Sequence, residues 1–471
     1  MVAQTLSTIK GGIPFMQNQP DLGREPIGKL LFKLALPTIT AQLVNLLYNL
    51  VDRIYIGHIE GIGTNALTGV GLCMPLIMII SAFAALAAMG GAPLSSIALG
   101  RGDKEKAEGI LGSCTALLAC ISLVLTAVML IFHRELLLAF GANEDTIYYA
   151  ARYMLVYSLG TIFVQTALGL NAFITAQGFS RVSMLTVLIG AVLNTLLDPL
   201  FIFVFHMDVQ GAALATVISQ AVSAIFVLRF LTGKKTNLRL QLPRIRLNWK
   251  LLGPCMALGL SPFIMQSTES LIAVCFNTSL RSYGGTIAVS TMTLCTSIMQ
   301  LAMLPLQGLS QGAQPIISYN YGAGNADRVK QGFRLLLACC LGFSVTLGSL
   351  VLLFPRVFLG IFTPDAALIS YAVPYVRTYM AGVVLFGIQI ACQQTFVALG
   401  NAKCSLFLAC LRKLILLIPL VYLLPNFFDN QVFAVFLAEP VADIIAAAVT
   451  STMFFRFFKK LLKSAGSTQN A

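Results

Sequence analysis

Long apolar stretches alternate with short polar breaks along the chain, and this alternation predicts an all-α protein. The stretches fall near 33–56, 66–98, 109–132, 147–176, 184–206, 211–231, 254–280, 286–318, 331–354, 369–399, 404–424 and 431–455. Each reaches the roughly 20 residues that a helix needs to cross hydrocarbon, so twelve membrane spans are expected. Turn residues occupy the breaks, as in Gly61-Ile62-Gly63, Gly100-Arg101-Gly102-Asp103, Gly141-Ala142-Asn143 and Gly322-Ala323-Gly324-Asn325. One break is longer. Residues 232–252 carry Lys234, Lys235, Arg239, Arg244, Arg246 and Lys250 between the sixth and seventh stretches.

A shift of 222 residues brings the chain onto itself without a gap. Ala35-Leu36 falls on Ala257-Leu258, Gly90 on Gly312, Pro93 on Pro315 and Gly100-x-Gly102 on Gly322-x-Gly324. Tyr149-Ala150, Tyr153 and Tyr157 fall on Tyr371-Ala372, Tyr375 and Tyr379, and Ala176-x-Gly178 on Ala398-x-Gly400. Six spans is an even number, so the copies run parallel, as in transporters whose two lobes rock around a central site. The expected organisation is a tail (1–32), an N-lobe (33–231), a basic linker (232–253), a C-lobe (254–457) and a second tail (458–471).

Composition narrows the class. The 471 residues are 57% hydrophobic and 10% charged, against about 25% charged in a soluble domain. That excludes a soluble globular protein, a disordered chain and a disulfide scaffold. Net charge is +13. With the N-terminus inside, 23 of the 31 Lys and Arg lie in inside segments, so both termini are assigned to the cytoplasm and no nucleic-acid partner is implied. Residues 1–29 lack the compact apolar core of a cleavable signal. The eleven Cys lie in or beside apolar runs with no metal spacing, and the three His do not pair. No G-x-x-x-x-G-K-[ST] occurs, so the chain carries no ATPase motor of that kind, and no nucleophile constellation suggests an enzyme.

Polar groups at bilayer depth mark function or pairing. The first span carries Gln42, Asn45, Asn49 and Asp52 at steps of three, four and three, which places them on one helix face. The fifth span carries Asn194 and Asp198, and the sixth Thr216. From their distances to the span ends these groups converge at one level, where two carboxylates, an amide and a hydroxyl suit a hard cation or a shared proton. In the other half, Glu269 lies near mid-membrane one turn after Gln266, and the eighth span adds Thr293, Ser297 and Gln300. Met292 and Met299 are expected to give adaptable apolar contacts in the same cavity. Arg412, Lys413 and Asp443 lie at similar depths, with Glu439 one turn further out, and the four are read as a structural ion pair. Pro37 is a candidate gating kink. The repeat copies none of these acids: Asp52 maps to Val274, Asp198 to Leu420 and Glu269 to Leu47.

On Leu34-Ala35-Leu36-Pro37, residues 49–58 (NLVDRIYIGH), residues 194–203 (NTLLDPLFIF) and residues 211–216 (GAALAT), the chain resembles the multidrug and toxic compound extrusion (MATE) family, in its prokaryotic DinF/MepA-like branch. The resemblance implies a twelve-helix, V-shaped, two-lobe exporter in a bacterial inner membrane. It implies export driven by a gradient of H+ or Na+, with no other cofactor; the acidic, apolar interior suggests amphipathic, cationic small molecules as the cargo, and a two-lobe chain can work alone. It makes Asp52, Asn194, Asp198 and Thr216 the cation-coupling set. A NorM-type C-lobe sodium site would also need an acid on the tenth span, where this chain has Gln389, Gln393 and Gln394. A lipid-linked saccharide flippase of the wider superfamily is the alternative.

Overall fold

A computed structural model describes residues 20–469, which form helices and no strand. The first nineteen residues of the expected 1–32 tail, and the last two of the 458–471 tail, lie outside the described residues. The helices are α1 (Ile27–Gly57), α2 (Gly63–Gly100), α3 (Lys104–Ala139), α4 (Glu144–Leu159), α5 (Thr161–Ala176), α6 (Ser180–Pro199), α7 (Asp208–Thr232) and α8 (Trp249–Gly322). They continue as α9 (Ala326–Leu353), α10 (Pro355–Phe362), α11 (Ala366–Met380), α12 (Val383–Ala398), α13 (Ala402–Cys410), α14 (Ile418–Leu423) and α15 (Gln431–Gln469). Two π-helical segments interrupt the pattern, Leu200–Val204 after α6 and Leu411–Leu417 between α13 and α14.

Ten helical segments are long and apolar enough to cross a membrane, and the pair α4–α5, bent by 59° at Gly160, makes an eleventh. Helix α8 is two spans joined end to end, because Gly285 breaks it with φ +66° and ψ −157°. Divided there, the described residues hold the twelve spans expected, and the chain is a multi-pass membrane protein. Helix α15 runs on to Gln469 and so takes in the start of the expected tail.

Because spans alternate in direction, the helix ends sort into two levels. The near end holds the start of α1 and the C-terminal part of α15, and the far end holds the opposite tips. The duplication is visible in the backbone. Gly102 and Gly324, related by the shift, have φ +76° and +74°, a region only glycine enters without strain, and each ends its helix there. Gly178 and Gly400 repeat the device at +91° and +72°.

The two copies meet at the near end through small residues. A Cβ on Gly100 would collide with the Tyr319 carbonyl, and one on Gly322 with the Ile97 carbonyl. These contacts exchange under the 222-residue shift, as a pseudo-two-fold axis requires. Polar contacts tie the same end. Thr38 donates to the Gly308 carbonyl (2.6 Å) and Gln42 to Gln311 (3.2 Å). Asn320 and Arg328 both donate to the Leu22 carbonyl, and Arg328 also to that of Glu25. These cross-half hydrogen bonds join 22–42 to 308–328, so the molecule is closed at the near end. The core divides likewise. Two clusters belong to the first half and the start of α8, one to the second half, and the fourth seats Leu30, Leu31 and Leu34 of α1 among residues of α8, α9, α12 and α15.

Candidate functional site

Asp52 lies on the last turns of α1, Asn194 and Asp198 on α6, and Thr216 two turns into α7. Packing of these three helices turns the sequence-predicted residues inward. Asp52 is 6% exposed, Asn194 2% and Asp198 0%. The Asn194 amide donates to Asp198 Oδ1 (3.1 Å) and lies 3.4 Å from Thr216 Oγ1, while Thr216 donates to the Ala212 carbonyl (3.1 Å). Asp52 stands close enough to Asp198 for their charges to act on each other. Neither carboxylate has a Lys or Arg within ion-pair distance among the described residues. Asp52 Oδ1, Asp198 Oδ2 and Asn194 Oδ1 are buried without a hydrogen-bond donor. Three such oxygens are costly in a low-dielectric interior. They form an oxygen-rich, donor-poor set that a proton or a small hard cation completes.

Aromatic residues to which the sequence assigned no site role close the set. Tyr153 and Tyr157 on α4 are buried and stack at 6.2 Å. Tyr153 reaches Thr216 and the field of Asp52, and Tyr48 lies near both acids. The i,i+4 spacing of the α4 tyrosines signals one helix face, but only the bend at Gly160 turns that face toward α7. A Cβ on Gly160 would strike Val217, the neighbour of Thr216.

The other polar residues of α1 separate. Gln42 is bound to Gln311, Asn45 is half-buried, and Asn49 is exposed with its amide on the Asn45 carbonyl (2.7 Å). Pro37 is buried in an uninterrupted helix, beside the Thr38 contact to α8.

In the second half, Arg412 bridges Glu439 (2.9 Å) and Asp443 (2.7 Å) and lies 4.6 Å over the Phe386 ring. Lys413 departs from the expected pairing. It turns to Glu269, at 2.6 Å. The cause is the π-helical segment Leu411–Leu417, whose wider turn lets two consecutive residues both point inward. Glu269 keeps 52% of its side chain exposed, in contrast to the 6% of Lys413. Gln266 is half-buried and Gln300 exposed. Met292 is a correction. It is 4% exposed, packed among Phe276, Leu280 and Val435, and fills core instead of lining a cavity. Met299 packs against the same core from a half-buried position.

Known proteins place this geometry in a family. The MatE family model matches residues 37–200 and again 262–423, so it finds the chain's two copies separately, beginning 225 residues apart and ending 223 apart. The chain is similar to the "Multidrug export protein MepA" of Staphylococcus haemolyticus, 23% identical over 429 residues that cover 91% of this chain and 94% of that protein. It is also similar to the protein of that name in Staphylococcus aureus strain NCTC 8325, 24% identical over 428 residues (90% and 94% covered). Among solved structures it shares its fold with a MATE protein in a bent conformation, at TM-score 0.88 and 23% identity with 96% of this chain and 99% of that one covered. It shares it too with the outward-facing conformation of a multidrug resistance MATE family transporter of the MOP superfamily, at TM-score 0.87 and 23% identity (95% and 99% covered). With the family model covering both halves of the twelve-span bundle, this chain belongs to the MatE family of membrane transporters.

Proposed function

We propose that the protein is a secondary active multidrug exporter that moves amphipathic, cationic small molecules out of the cell in exchange for H+ or Na+. The observation that carries this reading is the buried pair Asp52 and Asp198, which makes no ion pair among the described residues and which, with Asn194, presents three oxygens without donors. An ion that enters completes the set and an ion that leaves exposes its cost, so occupancy is coupled to the packing of α1 against α6 and α7. Pro37 lies on the same helix as Asp52, on the near-end side of the Thr38 and Gln42 contacts, and is proposed as the point where α1 bends. With both termini in the cytoplasm of a bacterial cell, the closed near end is the cytoplasmic face and the structure is an outward-facing member of an alternating-access cycle. The names of the relatives support drug export. Against lipid-linked saccharide flipping stands the state of the deep cations. Arg412 and Lys413 are held by three carboxylates and offer little free positive charge to a pyrophosphate.

The test is purified protein in vesicles with proton and sodium gradients imposed separately. A gradient-driven flux of an organic cation is expected, abolished by Asp198→Asn in a protein that still purifies as a folded monodisperse species. Absence of flux under either gradient overturns the exchanger reading, and full coupling in Asp198→Asn removes that carboxylate from the mechanism.

A further inference from the structure

The long basic break between the halves is not a loose tether. The Gln177 side-chain carbonyl, at the end of α5, accepts from Thr236 Oγ1 (2.8 Å) and from the backbone of Asn237 and Leu238 (2.9 Å each). Glu108, in the first turns of α3, accepts from the Arg239 backbone (3.2 Å) and the Gln241 amide (3.1 Å), and Arg244 donates to the Glu105 carbonyl (2.7 Å). Thr236, Leu238 and Leu240 are buried. The segment is thus bolted across the near-end tips of α3, α5 and α7, at the level where the spans leave the bilayer.

What it presents outward is of two kinds. Leu242 (86% exposed), Leu247 (44%) and Trp249 (64%) are apolar and uncovered. Lys234, Lys235, Arg246 and Lys250 are exposed and have no carboxylate partner among the described residues, and residues 232–250 contain no acid. Beside them a cavity of about 330 Å³ opens between the segment and α3, lined by Lys106, Ser113, Arg246 and Asn248, and also by Asp103 and Glu105. Apolar tips interleaved with unpaired cations, fixed at a membrane boundary, match one environment: acyl chains meeting anionic headgroups. Tryptophan prefers this level because its ring is amphipathic, and each Lys or Arg near an anionic surface adds attraction that salt screens.

We propose that residues 234–250 form a docking surface for anionic phospholipid at the near-end leaflet. Lys234, Lys235, Arg246 and Lys250 hold the phosphates, while Leu242, Leu247 and Trp249 seat in the upper acyl chains. The surface is joined by the Gln177 and Glu108 contacts to the first half and runs through Trp249 and Lys250 into the start of α8, so bound lipid holds these near-end tips at the interface. This inference is independent of the transport reading.

Trp249 is the chain's one tryptophan, so its emission reports from this site alone. The full-length protein in nanodiscs of mixed phosphatidylcholine and phosphatidylglycerol gives the test, with brominated acyl chains placed on one lipid and then on the other. Stronger quenching is expected when the anionic lipid carries the bromine, with the preference falling toward parity at 0.5 M salt. Replacing Arg246 and Lys250 by Gln is expected to lower the anionic preference by about 25-fold, at about fivefold per charge. Equal quenching by the two lipids overturns the proposal and leaves an ordinary interfacial tryptophan. Loss of the preference on adding millimolar glycerol phosphate also overturns it, because the site would then be one for a free anion. If the double variant fails to fold, the swapped-bromine comparison in the unaltered protein still decides.

Discussion

The same three helices build a polar cluster in each half, and the two clusters are chemically opposite. Under the 222-residue shift, α1, α6 and α7 correspond to the first part of α8, the α13–α14 span and α15. In the first half they carry Asp52, Asn194 with Asp198, and Thr216. In the second they carry Glu269, Arg412 with Lys413, and Glu439 with Asp443. No acid has an acidic counterpart, although the sites sit on equivalent elements: Arg412 and Lys413 fall on Gly190 and Ala191, and Glu439 on Val217, the neighbour of Thr216. Gly190 packs tightly against Ser223, where a Cβ would come within 2.6 Å of the Ser223 hydroxyl. That leaves no room for a built-in cation between α6 and α7. At the corresponding place in the second half a π-helical segment widens the span and admits two. One copy therefore keeps its cations covalently, and the other has buried carboxylates with no ion pair among the described residues.

The sharpest way to break this contrast is to remove the built-in cation. Arg412→Met leaves Glu439 and Asp443 buried without their hydrogen-bonded counter-charge, and stripping one partner from such a cluster costs about 3–5 kcal/mol. A large drop in thermal midpoint in detergent is expected. Adding Glu439→Gln and Asp443→Asn is expected to restore most of it, since a wholly neutral cluster avoids the unpaired charge. An unchanged midpoint in the single variant would show that the second half does not depend on its own cation.

Next in size is the complementary effect in the first half. If its carboxylates take an external ion, that ion stabilises the fold by mass action, about 2.7 kcal/mol at a hundredfold excess over its dissociation constant. Titrating the coupling ion is expected to raise the midpoint of the parent protein and leave Asp198→Asn unmoved. An equal rise in both would place the ion elsewhere.

The contrast also explains what could be read from the residues alone. The spans, the duplication and the inward acids were legible because hydrocarbon forces apolar length and makes a buried Asp conspicuous; Asp52, Asn194, Asp198 and Thr216 needed only helical spacing and depth. Three features lacked such a signal. The partner of Lys413 depends on a π-helical turn that nothing in LRKLILL announces. The tyrosines of α4 join the site only through a bend at Gly160, and one glycine in a long apolar run does not declare a 59° change of direction. Met292 and Met299 share a helix face, yet the first is core and the second half-covered, because depth across a helix bundle is set by neighbours that periodicity does not name.

Closure at the near end is the part of the molecule where the halves agree, and it offers the next effect. Gly322→Val inserts a branched side chain against the Ile97 carbonyl, and overpacking of this kind costs about 1–3 kcal/mol. If this end opens in an alternating-access cycle, the two helices separate and the cost falls on the closed arrangement alone. Spin labels at Lys104 and Asp327 are expected to report a longer distance in the variant. Gly100→Val should match it in size, because the two contacts are exchanged by the pseudo-two-fold. Unequal effects would show that the symmetry seen in the backbone does not extend to the energetics.

The smallest effect isolates a contact that has no symmetric copy. Thr38 spends its hydroxyl on the Gly308 carbonyl at 2.6 Å, with its own helix carbonyls at Leu34 (3.1 Å) and Ala35 (2.9 Å) as alternatives. Its counterpart by the shift is Leu260, which has no hydroxyl, so only one of the two related crossings is latched by a hydrogen bond. Thr38→Val keeps the branched shape and removes the donor, at a net cost near 1 kcal/mol, or about a fivefold change in the ratio of closed to open near ends. Inside its own helix the hydroxyl loses nothing essential, because those carbonyls already serve the backbone ladder, so the cost falls on closure. Thr38→Ser retains the donor and is expected to behave as the parent. The same spin-label pair measures both. A shift in the Ser variant as large as that in Val would assign the effect to packing beside Pro37 instead of to the bond, and the near end would then be held by its small residues alone.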